Sequence, residues 1–319
     1  MRYLFGVLCV LALAVMGCSE TSGAGGVGGD GGAGGTASAS PGCFDGTLDT
    51  TVTEVDLEFD RVPRRYELHV PPAYDGRTPL PLVLNFHGFG SNGTQQRVFS
   101  QMDMTADSRG FVVAYPDGLD ASWNAGVCCG TSAESGVDDV GFVRAVINDI
   151  ADRGCIDRSR VYATGMSNGG FLSHKLACEA SDVIAAIGPV AGVLGIDSSA
   201  CTPSRPVPVV HFHGTADTVV QYDGGCDVCV SDSESVVDTI AGWVARNGCT
   251  EAPEVVPRTG SVTCETTGGC DGDASVTLCS IADAGHCWPG TLFCPFGDST
   301  EDISANEVML DLFESVRLP

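Results

Sequence analysis

The sequence has 319 residues, of which 43% are hydrophobic, and it carries a formal net charge of −25. This hydrophobic content is sufficient for a packed core and argues against disorder over most of the chain. The negative charge argues against nucleic acids and anionic membranes as partners, because both are bound by clustered Lys and Arg.

The first 18 residues predict a targeting segment. Arg2 precedes an apolar stretch at 4–16, which is too short to cross a bilayer. The stretch ends in Val15-Met16-Gly17-Cys18, which resembles the lipobox of bacterial lipoproteins, in which the cysteine is lipidated. The resemblance implies a lipid on Cys18, and free secretion is the alternative. Both alternatives predict an extracellular or cell-surface protein.

A linker and one globular domain follow the targeting segment. Residues 19–42 are rich in Gly, Ala and Ser, which is typical of a flexible linker, and residues 43–319 are predicted to form the domain. Fourteen of the sixteen cysteines lie in this domain, and an even number in an exported protein indicates disulfide bonds. The segment Cys226-Asp227-Val228-Cys229 is a lone C-x-x-C. Because structural zinc needs four ligands at matched spacing, we expect no metal.

Short apolar strands alternate with helices along the domain. The strands are predicted at 53–59, 65–70, 82–86, 111–115, 161–164, 183–193, 206–212, 262–264 and 275–281. The helices are predicted at 95–109, 138–153, 236–247 and 301–315, with another beginning near residue 171. This alternation predicts an α/β fold with a mostly parallel central sheet covered by helices on both faces.

The strand at 161–164 leads directly into Gly165-Met166-Ser167-Asn168-Gly169, which matches G-x-S-x-G. A strand, a tight turn and a helix are the context that a nucleophile elbow requires, and the glycines leave room for the turn. A glycine-rich turn that happens to contain serine is the alternative for the motif alone. The flanking elements favour the elbow, so Ser167 is the predicted nucleophile.

A serine hydroxyl needs a base, which a third group orients. In folds with this elbow, the order along the chain is serine, acid, histidine. Of the six histidines, only His286 follows every plausible acid downstream of Ser167, so it is the predicted base. Asp217 follows the end of the strand at 206–212, where sites form in open α/β sheets, and is the predicted acid. The competing acids are Asp197, Asp223 and Asp227.

The remaining candidates would complete an oxyanion hole, which needs two backbone N–H donors. One is expected from Asn168, immediately after the nucleophile. The other is expected from Phe89 in the segment His87-Gly88-Phe89-Gly90, whose histidine would hold the shape of the loop. His211 and His213 alternate with Phe212 on a buried strand, so we expect both to have core or supporting roles.

Seven motifs occur in order along the chain: His87-Gly88-Phe89-Gly90, Tyr115-Pro116-Asp117-Gly118, Trp123-Asn124 with Cys128-Cys129, Asp138-Asp139-Val140-Gly141-Phe142, Gly165-Met166-Ser167-Asn168-Gly169-Gly170, His213-Gly214-Thr215-Ala216-Asp217 and Gly285-His286-Cys287-Trp288-Pro289-Gly290. Together they resemble the polyhydroxybutyrate depolymerase-like secreted serine esterases, which include feruloyl and acetylxylan esterases of carbohydrate esterase family one. The resemblance covers about residues 50–315. It implies an α/β-hydrolase fold and a Ser167–Asp217–His286 triad. It also implies that Trp123 and Trp288 are walls of an acyl pocket, with ordinary core packing as the alternative.

These observations predict an exported serine carboxylesterase that works through an acyl-enzyme, without a metal or an organic cofactor. The expected substrates are esters of plant cell-wall polysaccharides or short polyesters, and any membrane association would come only from an N-terminal lipid. A serine peptidase or an acyltransferase on the same fold is one alternative. A catalytically silent surface-binding protein is another.

Overall fold

The computed structural model describes residues 39–44, 48–257, 260–294 and 296–319. The predicted targeting segment, with Cys18, and most of the predicted linker lie outside these residues. Within the described ranges, no helix is both long enough and apolar enough to cross a bilayer.

The described chain contacts the domain from its first residues. Ala39 forms an isolated bridge with Asp157, and the buried Ser40 donates its hydroxyl proton to the Gly154 carbonyl at 2.5 Å. The Gly42 N–H donates to the Ala151 carbonyl at 3.0 Å. Residues 39–42, which composition assigns to the linker, therefore pack against the domain, because their polar groups find partners there.

Ten strands form one sheet. They are β1 Thr53–Phe59, β2 Val62–His69, β3 Leu80–Phe86, β4 Val112–Pro116, β5 Ile156–Met166, β6 Ala186–Val190, β7 Val209–Gly214, β8 Glu254–Pro257, β9 Val262–Thr267 and β10 Val276–Ile281. The α-helices of the described residues are α1 Gly93–Ser100, α2 Met102–Arg109, α3 Gly130–Ser135, α4 Asp139–Arg153, α5 Asn168–Glu179, α6 Val236–Arg246 and α7 Ala305–Ser315.

The strand order across the sheet is β1-β2-β4-β3-β5-β6-β7-β10-β9-β8. Six neighbouring strands in the middle of this order pair in parallel: β4, β3, β5, β6, β7 and β10. Antiparallel strands extend the sheet at both edges. Nearly every residue of β3 to β7 is buried or nearly so, because helices cover both faces of a parallel sheet. The predicted mostly parallel α/β sheet is confirmed.

Two hydrophobic clusters fill the space between the sheet and its helices. One joins the sheet to α4, α5 and α6, and includes Phe142, Leu172 and Trp243. The other joins it to α2 and α7, and includes Met102 and Phe313. The loops after β3, β5, β7 and β10 leave the carboxyl ends of parallel strands. These four loops, together with Asn168 at the start of α5, carry all the residues predicted for the triad and the oxyanion hole.

One local prediction differs from the structure, and two elements of the structure were not predicted. The helix predicted at 95–109 is two helices, because Gln101 adopts φ 49° and ends α1. The buried Ser100 accepts a hydrogen bond from the Asn85 side chain at the end of α1, so tertiary contacts accompany the break. The edge strand β8 and the short helix α3 were not predicted, because neither has a long apolar repeat.

All fourteen cysteines of the domain are paired in the described residues. The disulfides join Cys43 to Cys155, Cys128 to Cys129, Cys178 to Cys201, Cys226 to Cys229, Cys249 to Cys270, Cys264 to Cys279 and Cys287 to Cys294. The prediction of a disulfide framework is confirmed. Such a framework is typical of proteins that fold in an oxidising compartment.

Candidate active site

Ser167 lies in the tight turn between β5 and α5. Its backbone adopts φ 57° and ψ −122°, a strained conformation for a residue with a side chain. A Cβ on Gly165 would come within 2.6 Å of the Phe86 carbonyl oxygen, and a Cβ on Gly169 would overlap the same oxygen. The turn therefore needs glycine at both flanking positions, which accounts for the G-x-S-x-G pattern.

His286 and Asp217 are joined directly. The Nδ1 of His286 lies 2.7 Å from Oδ2 of Asp217, and both side chains are almost fully buried. The other oxygen of Asp217, Oδ1, accepts the N–H groups of Val219 at 2.8 Å and Val220 at 3.0 Å. Because a carboxylate only accepts hydrogen bonds, the proton of this pair belongs on Nδ1 of the imidazole. The Nε2 of His286 is then an acceptor.

The surroundings of Asp217 favour its ionised carboxylate. Burial on its own would raise the pKa of Asp217, but the hydrogen bonds from His286 and from the Val220 N–H favour the carboxylate, so the pKa lies below its ordinary value. The competing acids Asp197, Asp223 and Asp227 are all exposed. Of these four carboxylates, only Asp217 pairs with His286 in the described residues.

Ser167 and His286 line the same cavity, whose volume is about 340 Å³. Among the described residues, no hydrogen bond occupies the Ser167 hydroxyl, and Ser167 lines this cavity. The other lining side chains are mostly apolar: Phe89, Phe99, Met166, Val219, Val228 and Phe296, with Ser91, Gln96 and Asp227 supplying polar atoms. The cavity is within the size range of small-molecule sites.

Sequence reasoning did not identify Phe99, Val219, Val228 and Phe296 as wall residues. Phe99 lies on α1, Val219 follows Asp217, and Val228 is in the loop closed by the Cys226–Cys229 disulfide. Phe296 is held by a backbone bridge to His286. No local pattern predicts these positions. Only the proximity of Val219 to Asp217 and of Phe296 to His286 along the sequence could have indicated wall residues.

The two expected oxyanion donors belong to segments that adjoin Ser167. A Cβ on Gly88 would be 3.3 Å from the Cβ of Ser167, so the segment His87-Gly88-Phe89 passes beside the nucleophile turn. The backbone N–H of Phe89 has no acceptor in the described part of the chain. Asn168 is the first residue of α5, where backbone N–H groups have no partner within the helix and the helix dipole is positive.

The structure does not bring Trp123 or Trp288 to the cavity wall. Trp123 is fully buried against Phe86 and Phe142, and the indole N–H of Trp288 donates to Asn306 Oδ1 at 3.0 Å. Neither side chain lines the cavity. The expected pocket walls are thus packing residues, because both rings are enclosed by side chains of the core.

Trp123 nevertheless connects the segment at 87–89 to Asn168, the two sources expected for oxyanion donors. Its indole N–H donates to the His87 carbonyl at 3.0 Å. Its backbone N–H donates to Asn168 Oδ1 at 2.7 Å, and its carbonyl accepts from Asn168 Nδ2 at 3.1 Å. The imidazole of His87 bonds to the Gly88 carbonyl and accepts the N–H of Gly118, as expected for a residue that holds the loop.

Three cysteine sulfur atoms of the described residues lie close together. The Sγ atoms of Cys128, Cys226 and Cys229 lie within 4.8 Å of one another. All three belong to disulfides, so none is the thiolate that a metal ion would need as a ligand.

The family follows from a match over more than half of the chain. The sequence model described as esterase PHB depolymerase matches residues 64–243, which include the elbow, the loop after β3 and Asp217. The chain belongs to this esterase family. As a member of the esterase PHB depolymerase family, it is a carboxylic ester hydrolase.

Individual relatives agree with the family. Feruloyl esterase B of Piromyces equi is 34% identical over 234 residues, which are 70% of this chain and 42% of the relative. The chain thus matches less than half the length of that relative. Feruloyl esterase C of Emericella nidulans is 28% identical over 229 residues, which are 70% of this chain and 74% of the relative.

The fold has solved neighbours. A CE1 ferulic acid esterase from Anaeromyces mucronatus, solved with ferulic acid, superposes with a TM-score of 0.55 at 14% identity. The superposition covers 85% of this chain and 92% of that structure. The predicted α/β-hydrolase fold of this esterase is confirmed.

Proposed function

We propose that this esterase is an exported serine carboxylesterase that uses Ser167, His286 and Asp217 as a catalytic triad. The observation that carries the proposal is the 2.7 Å contact between His286 Nδ1 and Asp217 Oδ2 beside a cavity that also contains Ser167. The paired carboxylate fixes the imidazole with its proton on Nδ1, so Nε2 is free to accept the Ser167 proton. Export is supported by the disulfide framework.

The reaction has two halves. In the first, Ser167 Oγ attacks the ester carbonyl carbon while its proton passes to His286 Nε2, and Asp217 stabilises the imidazolium. The backbone N–H groups of Asn168 and Phe89 bind the oxyanion of the tetrahedral intermediate. The carbon–oxygen bond to the alcohol then breaks, and His286 returns its proton to the leaving alcohol oxygen.

In the second half, water attacks the acyl-enzyme. His286 takes a proton from the water as its oxygen bonds to the acyl carbon, and the same N–H groups hold the new oxyanion. The bond to Ser167 Oγ breaks, the proton returns to Oγ, and the free carboxylic acid leaves. The residues named here suffice for every proton transfer.

For the substrate, we propose an ester whose acyl group is a small aromatic acid of the hydroxycinnamoyl type, joined to a polysaccharide alcohol. The cavity volume of about 340 Å³ and the side chains of Phe89, Phe99 and Phe296 suit one planar ring. Two relatives named feruloyl esterases support the same acyl group. A short polyester remains the second candidate, because the matching family is described as a PHB depolymerase family.

The test begins with Ser167→Ala. We expect this variant to lose turnover of a short p-nitrophenyl ester and labelling by a fluorophosphonate probe, while its melting temperature stays near that of the wild type. Retention of a tenth or more of the wild-type rate would refute the assignment. Release of ferulate from feruloylated arabinoxylan, compared with release of hydroxybutyrate from polyhydroxybutyrate film, then separates the two substrate classes.

A further inference from the structure

Three buried histidines form a row that leads to Asp217. His174 lies on α5, and His211 and His213 lie two residues apart on β7, so their side chains share one face of the strand. All three are at most 1% exposed. The rings of His211 and His213 are stacked with their centroids 5.4 Å apart, and His174 lies 5.4 Å beyond His211.

Hydrogen bonds run through the whole row. The indole Nε1–H of Trp243 donates to His174 Nδ1 at 2.9 Å. His174 Nε2 is 3.3 Å from His211 Nδ1, and His211 Nε2 is 3.1 Å from His213 Nδ1. His213 Nε2 lies 2.8 Å from the Val220 carbonyl oxygen. Each ring nitrogen of the row therefore has a partner.

The two ends determine where every proton lies. An indole N–H only donates and a carbonyl oxygen only accepts, whereas a neutral imidazole has one donor and one acceptor nitrogen. Because Trp243 donates to Nδ1 of His174, the proton of His174 is on Nε2. His174 Nε2–H then donates to Nδ1 of His211, and His211 Nε2–H donates to Nδ1 of His213. All three rings are thus Nε2–H tautomers, and the row ends in an N–H at Val220.

Burial keeps the row neutral. It lowers the pKa of His174 to about 3, lowers the pKa of His211 well below its ordinary value and lowers that of His213. A second proton on any of the rings would place two donors face to face at a neighbouring nitrogen. The order of donors and acceptors therefore persists across the pH range in which an esterase with a neutral base would work.

The row ends at the predicted acid. His213 Nε2 lies 3.5 Å from Asp217 Oδ2, the oxygen that also bonds to His286. Val220 is held at both of its backbone polar groups, because its N–H donates to Asp217 Oδ1 and its carbonyl accepts from His213 Nε2. His213 thus fixes the turn at 217–220, and the N–H groups of that turn hold the carboxylate of Asp217.

We propose that His213, held in its Nε2–H tautomer by His211, His174 and Trp243, is a positioning residue that orients Asp217 toward His286. This inference rests on the proposed triad. A positioning role differs from simple core packing in one respect. It requires a donor at the Nε2 position of residue 213, and not only a side chain of suitable volume.

Two amide substitutions separate these roles. In His213→Gln the side-chain NH2 reaches the Nε2 position and can still donate to Val220, whereas in His213→Asn the amide reaches only the Nδ1 position. We expect kcat to stay within about fivefold for His213→Gln and to fall about 100-fold for His213→Asn, because a small misplacement of a catalytic group has an effect of that order. KM should change less than kcat in both, since neither substitution replaces a residue that lines the cavity.

The controls use another histidine and the nucleophile. His69 is a buried histidine that pairs with Asp107 on the opposite part of the sheet, so His69→Gln and His69→Asn should give equal kcat values. Equal kcat values for the two His213 variants, with Ser167→Ala inactive, would overturn the positioning role while leaving the triad intact. Activity in Ser167→Ala would instead overturn the proposed function.

Two further measurements test the proposal even if His213→Asn does not fold. If His213→Asn does not fold, the same pair is made at His211, where Gln keeps the donor to His213 and Asn does not, and equal kcat values again overturn the proposal. In the wild type, ¹⁵N spectra of histidine-labelled protein should show the Nε2–H tautomer at His174, His211 and His213. An Nδ1–H tautomer or an imidazolium at any of the three would overturn it as well.

Discussion

Replacing Asp217 by Asn tests the assignment of the acid with almost no change of shape. In the wild type, Oδ1 accepts the N–H groups of Val219 and Val220, and Oδ2 accepts the Nδ1–H of His286. The asparagine oxygen has to stay with the two backbone donors, so the NH2 group meets His286. Because an NH2 group only donates, it forces Nδ1 of His286 to become the acceptor and moves the ring proton to Nε2.

An imidazole with its proton on Nε2 cannot accept the Ser167 proton. The comparable change in a serine protease lowers kcat about 10⁴-fold. At about 1.36 kcal/mol for each factor of ten, that corresponds to about 5.4 kcal/mol of activation free energy. Steady-state kinetics with a p-nitrophenyl ester measure it. Asp197→Asn is the matched control, because this competing acid is exposed and bonds to Ser199 rather than to a histidine, and its kcat should be unchanged.

Stability provides a second readout for Asp217. Its folded-state pKa lies below the ordinary value, so its charge stabilises the fold above the unfolded pKa of about 3.9. That stabilisation is lost as the pH falls through the folded-state pKa. The difference in melting temperature between the wild type and Asp217→Asn should therefore narrow from pH 6 towards pH 3. A kcat of Asp217→Asn above a tenth of the wild-type value would refute the assignment of Asp217 as the acid.

Two further predictions concern the cavity and the core. Val228→Phe, which enlarges a cavity wall held by the Cys226–Cys229 disulfide, should lower kcat/KM for methyl ferulate about tenfold relative to p-nitrophenyl acetate, and an unchanged ratio would exclude Val228 from the acyl site. Arg64→Met should lower the free energy of unfolding by about 3–5 kcal/mol in urea titrations, because it leaves the buried Asp139 carboxylate without its partner at 2.9 Å. Arg144→Met, which breaks a more exposed pair with Asp182, should cost about 1 kcal/mol or less, and equal losses would contradict the argument.

The sequence predicts the parts of this molecule that local chemistry determines. The elbow is readable because Gly165 and Gly169 cannot carry a Cβ beside the Phe86 carbonyl, and this restriction leaves a pattern of five residues. The order of serine, acid and histidine leaves His286 as the only candidate base. The parallel strands are readable because burial on both faces requires continuous apolar runs.

Other features depend on contacts between distant segments. Nothing near Trp123 in the sequence indicates that its ring faces Phe86 and Phe142, so its resemblance to a cleft residue does not predict its orientation. Phe296 reaches the cavity through a bridge to His286 across a disulfide-closed loop. The histidine row likewise depends on α5, β7 and α6 meeting in space, although the spacing of His211 and His213 already places both on one face.

The contacts made by residues 39–43 determine the side of the domain at which a support or a fusion partner is attached. Ala39 pairs with Asp157 and Cys43 is bonded to Cys155, both beside the first residue of β5, while Ser167 follows its last. Strand β5 pairs with β3 from Ile156 opposite Leu80 to Gly165 opposite Phe86, so its ends lie about six strand steps, or roughly 20 Å, apart. A bead, surface or fusion partner attached ahead of residue 39 would therefore join the domain at the end of β5 opposite to Ser167. We expect the immobilised enzyme to accept bulky esters as readily as the free form.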